Sequence, residues 1–161
     1  MGMSAFASRF REIAASETRT LTAMGQPDLP NGHYGFVELY CDEIGCDCRR
    51  VVIHVASEAT GPKIWATINF GWESAEFYAR WMGDAELAEE FSSATLDLLN
   101  PQSEYASILL DYFVNLVADE AYIERLKRHY TLFKSSLRSG SVTSTSTAKW
   151  KPARMAKRKL R

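Results

Sequence analysis

The sequence predicts an α+β protein in which an antiparallel sheet is followed by a layer of helices. Runs of β-branched and aromatic residues fill much of the first half of the chain, whereas apolar residues recur at helical spacing in the second half. Strands first and helices afterwards are typical of domains whose helices cover one face of an antiparallel sheet. We expect a meander of three to four strands and a helical layer that includes an antiparallel helix pair.

The strands are predicted to follow a short helix. Apolar residues at helical spacing after Ser4, a residue type that caps helices, predict a helix over residues 5–15. The segment TRTLTAM (18–24) then carries a weaker strand signal. The clearest signal is a hairpin, in which HYGFVELYC and RRVVIHVAS are runs of strand-forming residues around the connection DEIGCDC. KIWATINFGW, introduced by the turn TGPK, adds a further strand to the meander.

Capping residues mark the helices of the second half. Ser74 and Gly83 are suited to begin and end one helix, and a second short helix is predicted over residues 85–92. Asn100 before Pro101 predicts the start of a third helix.

The last predicted helix begins after Asp119, a residue type that caps helices. It and the helix before it carry regular apolar stripes, so we expect them to pack as an antiparallel pair. The stripes are Tyr105, Ile108, Leu109, Tyr112, Phe113, Leu116 and Val117, then Tyr122, Ile123, Leu126, Tyr130, Phe133 and Leu137.

Composition bounds the class of protein. A content of 46% apolar and 12% aromatic residues is ordinary for a globular chain, so we expect a single domain over residues 1–138. The sequence lacks a run of about 18 apolar residues, which a membrane-spanning helix needs. Its N-terminal MGMSAFASRF also lacks the apolar core of a secretory signal. We therefore expect a cytoplasmic protein with no membrane partner.

Charge divides the chain into an acidic body and a basic tail. Residues 1–138 hold 12 basic and 20 acidic residues, a balance of -8, whereas residues 139–161 carry +7 without an acid. The tail is rich in Ser and Thr and lacks periodicity, so we expect it to be disordered. It would bind nucleic acid or an acidic partner, or it would serve only solubility. The nucleic-acid-binding residues would be Lys149, Trp150, Lys151, Arg154, Lys157, Arg158, Lys159 and Arg161.

All three cysteines stand in YCDEIGCDCRR, residues 40–50. A tight cluster of odd number in a reducing compartment favours metal binding or redox chemistry over disulfides. If Cys41 pairs with Cys48 across the hairpin, their side chains share a face, and Cys46 lies in the connection two residues earlier. Three sulfurs then converge, and thiolates are preferred zinc ligands, so the pattern predicts a zinc site. Inert buried thiols or redox thiols remain alternatives, although the spacing lacks the C-x-x-C of common oxidoreductases.

A structural zinc site needs a fourth ligand, and an open fourth position would make the site suited to catalysis. Asp47 is the nearest oxygen donor, with Asp42 as an alternative, and His129 would have to come from the helical layer. At about 3.3 Å per residue, His33 lies about 26 Å along its strand from the cysteines and His54 about 20 Å, so neither is expected to be a ligand. That register makes the two histidines diagonal neighbours.

Other chemistry-bearing residues have simpler explanations. Glu38 alternates onto the same strand face as aromatic residues, where burial would raise its pKa and make it a general acid or base, although pairing with an arginine is more common. The tryptophans 65, 72 and 81 surround the strand-to-helix junction with Tyr78, and core packing explains them better than a pocket wall. The chain lacks a Gly-rich phosphate loop, a nucleophile-elbow serine and an H-E-x-x-H helix. Whether the protein is an enzyme stays open.

Three segments carry a resemblance to a known family. YGFVELYCDEIGCDCRRVVIHV, NPQSEYA and YIERLKRHYTLFK resemble a family of uncharacterised bacterial proteins, some of whose members carry a SEC-C zinc motif after the final helix. The similarity covers about residues 5–137, is most specific at the cysteines with their Arg pair, and implies no particular activity. Where some members have the cysteine-rich ending, this chain has KWKPARMAKRKLR, which contains no metal ligands.

The sequence thus predicts a small cytoplasmic protein whose cysteines bind zinc and whose domain acts as a binding or adaptor module. One alternative is a metal-dependent enzyme with an open zinc position, and another is nucleic-acid binding through the basic tail. The final helices would also suit the interface of a homodimer.

Overall fold

A central antiparallel sheet organises the fold of residues 2–142, the part of the chain that this computed structural model describes. Within that part the sheet has six strands. They are β1 (Met3–Ala5), β2 (Thr20–Ala23), β3 (Gly32–Cys41), β4 (Arg50–Ser57), β5 (Ile64–Gly71) and β6 (Ala94–Leu96). The predicted meander is β3–β4–β5, and β1 and β2 both pair with β3, along its C-terminal and N-terminal halves respectively.

The helices lie mainly in the second half of the chain, so the α+β prediction is confirmed. They are α1 (Arg11–Glu17), α2 (Ala75–Met82), α3 (Ala85–Phe91), α4 (Ala106–Val117) and α5 (Glu120–Val142). The layer includes the closely packed pair α2 and α3, while α4 contacts α5 where the Phe113 and Tyr122 rings lie 6.3 Å apart. None of the helices in the described part of the chain is both long and apolar enough to span a bilayer.

One face of the sheet and the helical layer enclose the core. Phe36 of β3 and Phe70 of β5 both lie against Phe113 of α4, with ring centroids 6.2 and 5.7 Å apart. Tyr40 of β3 lies against Phe133 of α5 at 5.9 Å. Each of these rings is nearly or fully buried, and burying such a side chain stabilises a fold by roughly 1.5–3 kcal/mol. This packing holds α5 across β3 and carries its later turns toward the end of the β3–β4 hairpin.

The β3–β4 register differs from the prediction by two residues. Val37 pairs with His54 and Leu39 with Val52, a register in which Cys41 would fall opposite Arg50 rather than Cys48. Because side chains alternate with a period of two, an even shift leaves every side chain on its predicted face. It also separates the two histidines that were expected to be diagonal neighbours.

The first predicted helix is wrong in its bounds and its cap. Residues 3–5 form β1, Phe6–Ser8 form a single 3-10 turn, and the α-helix begins only at Arg11. Ser4 caps no helix, because its hydroxyl donates to the Asp42 carboxylate at 2.6 Å. The chain therefore covers the open edge of β3 before it becomes helical.

The Asn100–Pro101 helix start is also wrong, since α4 begins at Ala106. Between Pro101 and Ala106, the Gln102 side chain forms hydrogen bonds with the β5 backbone as a neighbouring strand would. Its Oε1 accepts from the Thr67 backbone N–H at 3.1 Å, and its Nε2 donates to the Thr67 carbonyl at 2.8 Å. This pairing covers the edge of β5 beyond the three residues of β6.

Other capping predictions are confirmed. The Ser74 hydroxyl accepts from the Phe77 N–H at 3.1 Å, and Gly83 ends α2 at a φ of 75°, where a side chain would be strained. The Asp119 carboxylate accepts from the Ala121 N–H at 2.9 Å. α5 continues to Val142, past the expected end of the domain at residue 138.

Core packing also accounts for two of the tryptophans. Trp65 lies against the Tyr34 ring and Trp72 against the Tyr130 ring, at 5.3 and 5.2 Å respectively. Trp81 lies at the surface with 36% exposure.

Candidate metal centre

The hairpin brings the three cysteines together. The Sγ atoms of Cys41, Cys46 and Cys48 all lie within 4.8 Å of one another, and the three residues are free thiols. Sulfurs that share one tetrahedral zinc at about 2.3 Å lie about 3.8 Å apart, so small side-chain rotations bring these three into coordination. We call residues 41–48 the cysteine knuckle. It is placed to hold a metal ion.

The backbone of the cysteine knuckle is folded by a tight turn. The Cys46 N–H donates to the Glu43 carbonyl at 3.3 Å, and Gly45 between them has a φ of 85°, which a residue with a side chain adopts only at a cost. Arg49, just after the knuckle, takes a left-handed φ of 48°. Its N–H donates to the Tyr130 hydroxyl at 3.2 Å, and its carbonyl accepts from the Tyr78 hydroxyl at 2.7 Å. The core therefore fixes the strained end of the turn.

Lys134 of α5 holds the other side of the cysteine knuckle. Its ammonium donates to the carbonyl oxygens of Cys41, at 3.2 Å, and Glu43, at 2.7 Å. The residue is only 8% exposed, and its ammonium forms no ion pair with a carboxylate of the described residues. The Asp47 carboxylate on the same side of the knuckle interacts with this ammonium electrostatically, without a direct ion pair. A metal–thiolate centre would add further negative charge, since three thiolates around a divalent ion leave a net charge of about -1.

Two of the three thiols are weaker acids than an ordinary cysteine, with raised pKa values. Burial raises the pKa of the Cys48 thiol to about 12, and the neighbouring Cys46 and Cys41 add to the shift. Burial also raises the pKa of Cys46, and its hydrogen bond with Cys41 contributes. Burial, rather than a neighbouring cation, dominates the pKa of Cys46 and Cys48, which makes a redox or nucleophilic role for these two thiols less favoured than metal binding.

Each predicted fourth ligand has another partner in the structure. No carboxylate or histidine of the described residues joins the three sulfurs within 4.8 Å. Asp47 is engaged by the Arg49 guanidinium, at 3.0 and 2.8 Å, and this pairing lowers the pKa of the Asp47 carboxyl. Asp42 accepts from Ser4, and His33 contacts Thr22 at 2.9 Å. Asp47 as a ligand therefore stays a prediction, and its carboxylate would have to move closer to the sulfurs.

Glu38 and His129 form a separate buried cluster. His129 is fully buried, and its Nδ1 lies 2.9 Å from Glu38 Oε2. Its Nε2 makes a short hydrogen bond to Glu17 at the end of α1. Glu38 also accepts from the Tyr40 hydroxyl at 3.0 Å. Glu38 is 4% exposed, and its partner is a histidine, so the more common case of an arginine partner or exposure to solvent does not apply.

A cavity adjoins the cysteine knuckle. Its volume is about 210 Å³. We call it the knuckle cavity, and it is lined by Ile44, Gly45, Cys46, Asp47, Tyr130, Thr131, Lys134 and Arg138. Cys46 is the partly exposed cysteine of the three, whereas Cys41 and Cys48 are buried. The knuckle cavity therefore borders the most accessible of the three cysteines.

Sequence reasoning missed Lys134 as part of the site. One signal for it is present, because Lys134 follows Tyr130 by four residues and Tyr130 belongs to the apolar stripe of α5. Helical periodicity alone therefore places the lysine on the buried side of the helix. No local pattern indicates that the helix end reaches a hairpin more than 80 residues earlier.

Comparison with protein-family models, with curated proteins and with solved structures found no match for this chain. The resemblance to bacterial proteins with the same cysteine pattern therefore stays a prediction. The basic tail and its eight predicted nucleic-acid-binding residues lie outside the described residues.

Proposed function

We propose that this protein binds one zinc ion through Cys41, Cys46 and Cys48. The convergence of the three Sγ atoms within 4.8 Å carries the proposal. Thiolate sulfur is a soft ligand that favours zinc and copper(I), and zinc is the usual occupant of cysteine sites at the ends of β-hairpins. The buried ammonium of Lys134 supports it further, because it supplies the countercharge that a tris-thiolate zinc centre needs.

In this proposal the metal stabilises the end of the hairpin and the domain serves as a binding or adaptor module. The metal would join β3, through Cys41, to the chain just before β4, through Cys48. Lys134 and Tyr130 would then hold a rigid cysteine knuckle against α5. Such a rigid projection at the end of a sheet is suited to recognition of a partner.

The test is the zinc content of protein purified without added metal. We expect one zinc per chain, measured by elemental analysis alongside protein concentration. Cys46→Ser in the partly exposed position should reduce zinc retention while leaving the circular dichroism spectrum unchanged, and Ser93→Ala between α3 and β6 is the control. Folded protein that neither carries zinc nor takes it up would refute the proposal, and copper in its place would refute the choice of metal.

A metal-dependent enzyme is the second candidate, and one observation favours it. The described residues offer three protein ligands and no fourth, which is the arrangement of catalytic zinc sites. Glu38 is a poor proton carrier for such an enzyme, because His129 and Tyr40 hold it within the core. Asp47, which lines the knuckle cavity, is better placed.

The basic tail supports a third proposal. Its +7 charge contrasts with the -8 of residues 1–138, and a cluster of Lys and Arg around Trp150 is suited to phosphates and to base stacking. We propose that it binds single-stranded nucleic acid.

A further inference from the structure

We propose that the metal keeps an exchangeable fourth position facing the knuckle cavity, and that this position binds a small carboxylate whose second oxygen is held by Lys134. The inference rests on the metal binding proposed above. It goes further by naming the class of ligand and the residue that selects it.

The burial of the three cysteines determines how a fourth ligand reaches the metal. Cys41 is 1% exposed and Cys48 is 5% exposed, so the core closes two sides of an ion lying between the three sulfurs. Cys46 is partly exposed and lines the knuckle cavity. A fourth ligand therefore reaches the ion from the cavity.

The carboxylate that lines the knuckle cavity already has a partner. Asp47 is the carboxylate on the cavity wall, and both of its oxygens are engaged by Arg49. The pairing is bidentate, a geometry that adds energy and fixes the carboxylate in place. An external ligand can bind without disturbing this pair, whereas Asp47 would have to turn its paired carboxylate toward the sulfurs.

Positively charged side chains line the knuckle cavity. Lys134 is a buried ammonium on the cavity wall, and two of its three N–H groups donate to the carbonyls of Cys41 and Glu43. The third N–H remains to donate to a ligand. An anionic oxygen is the strongest acceptor for it. Arg138 is a second cationic side chain on the same wall.

The volume of the knuckle cavity and the number of donor atoms in the ligand narrow the choice of ligand. A volume of about 210 Å³ has room for several non-hydrogen atoms, since a water occupies about 30 Å³ in the liquid. A carboxylate has two oxygens, so one can coordinate the metal while the other accepts from Lys134. A thiol offers a soft donor to the metal but nothing to the ammonium. The geometry therefore favours a carboxylate.

The test uses full-length protein loaded with cobalt(II), whose visible absorption reports the number and type of its ligands. Acetate is titrated at constant ionic strength, with perchlorate as the replaced anion, and 2-mercaptoethanol is titrated separately. We expect acetate to change the spectrum in a saturable way. Lys134→Gln should weaken the acetate response about tenfold, the loss expected for one charge-assisted hydrogen bond, and Lys127→Gln on the same helix should leave it unchanged.

The outcomes separate the two proposals. If cobalt and zinc do not bind, the metal proposal and this inference both fail. If cobalt binds at one per chain but acetate has no effect, or if only the thiol has an effect, the inference fails and metal binding stands. Asp47→Asn adds a decisive comparison, because an acetate response seen in this variant alone identifies Asp47 as the fourth ligand and overturns the inference. Should Lys134→Gln not bind cobalt, the wild-type and Asp47→Asn titrations still decide.

Discussion

Lys134 in α5 donates to the carbonyl oxygen of Cys41 at a distance of 3.2 Å, across 93 residues of sequence. This contact joins the final helix to the end of β3 and places a buried positive charge against the backbone of the cysteine knuckle. The helix therefore supports the cysteine knuckle both mechanically and electrostatically.

Removal of this charge should weaken metal binding. Lys134→Gln keeps an N–H donor group for the carbonyls but loses the cation that offsets a tris-thiolate zinc centre. We expect zinc affinity to fall by about tenfold or more, because one lost charge-assisted hydrogen bond is worth roughly 1.5–3 kcal/mol. Competition with a chromophoric chelator measures the change. Lys127→Gln, which removes a 41%-exposed ammonium from the same helix, is the matched control, and equal affinities in the two variants would contradict this role.

Local patterns predicted most of the scaffold around this site. Runs of β-branched and aromatic residues predicted the strands β3, β4 and β5. The convergence of the cysteines followed from the hairpin connection between β3 and β4. β1 and β6 were missed because three residues are too few to show an alternation. The Asn100–Pro101 signal failed because tertiary pairing of Gln102 with Thr67 keeps that segment extended.

The supporting contacts were harder to foresee because they are remote in sequence. His129 meets Glu38 across 91 residues, and Lys134 meets Glu43 across the same separation. Nothing in the chain near either residue specifies such a partner. Periodicity indicates that a side chain is buried, but the register between α5 and the sheet decides what it touches.

Thiol alkylation should follow burial in the metal-free protein. Cys46 is partly exposed, whereas Cys48 is buried and its pKa is raised to about 12 by that burial. We expect iodoacetamide at neutral pH to modify Cys46 at least about tenfold faster than Cys48, because the thiolate is the reactive form. Mass spectrometry of peptides after timed quenching gives the rates.

Two comparisons check this order. In guanidinium chloride the three thiols should react at similar rates, which shows that the difference belongs to the fold. Zinc added before the reagent should slow all three. If Cys48 reacts as fast as Cys46 in the native protein, the cysteine knuckle opens more readily than its contacts indicate.

Removing one partner of the buried pair of His129 and Glu38 should strongly destabilise the fold. His129→Leu would leave the Glu38 carboxylate buried with only the Tyr40 hydroxyl as a partner, so we expect the free energy of unfolding to fall by about 3–5 kcal/mol. Urea denaturation followed by circular dichroism measures it. Glu124→Gln, which removes an exposed ion pair with Lys127, should cost under about 1 kcal/mol.

A double variant separates the lost pair from lost packing. Glu38→Leu combined with His129→Leu removes the unpaired charge, so it should be more stable than His129→Leu alone. A double variant less stable than the single one would show that ionic pairing is not the cause. The ring of His129 also stacks on Phe6 at 4.3 Å, and this contact is lost equally in both variants.

Glu17 should make stability depend on pH. The hydrogen bond from His129 lowers the pKa of the Glu17 carboxyl below its ordinary value of 4.5, and Arg128 adds to the effect at 2.9 Å. A lowered folded-state pKa gives stability that is present above the unfolded value and is lost as the pH falls through the folded value. Glu17→Gln should therefore be less stable than the wild type by about 1 kcal/mol at neutral pH.

The difference between Glu17→Gln and the wild type should shrink as the pH falls below 4.5. Urea denaturation at a series of pH values tests this, and Glu89→Gln in an exposed position of α3 is the control. A constant difference across that range would mean that the carboxylate charge of Glu17 is not what stabilises the fold.

The basic tail should govern binding to polyanions. Truncation after Val142 removes +7 of charge and leaves a body of -8, so we expect the truncated protein to lose retention on immobilised single-stranded DNA at low salt. Replacement of the seven Lys and Arg residues by Gln, which keeps the length of the tail, should have the same effect.

For the full chain, the logarithm of the binding constant should fall with the logarithm of salt concentration by about 0.7 for each phosphate contacted. Trp150→Ala should weaken binding without changing this slope, because stacking on a base releases no counterion. Equal retention of the truncated and full-length proteins would place nucleic-acid binding in the body or exclude it as a role of the tail.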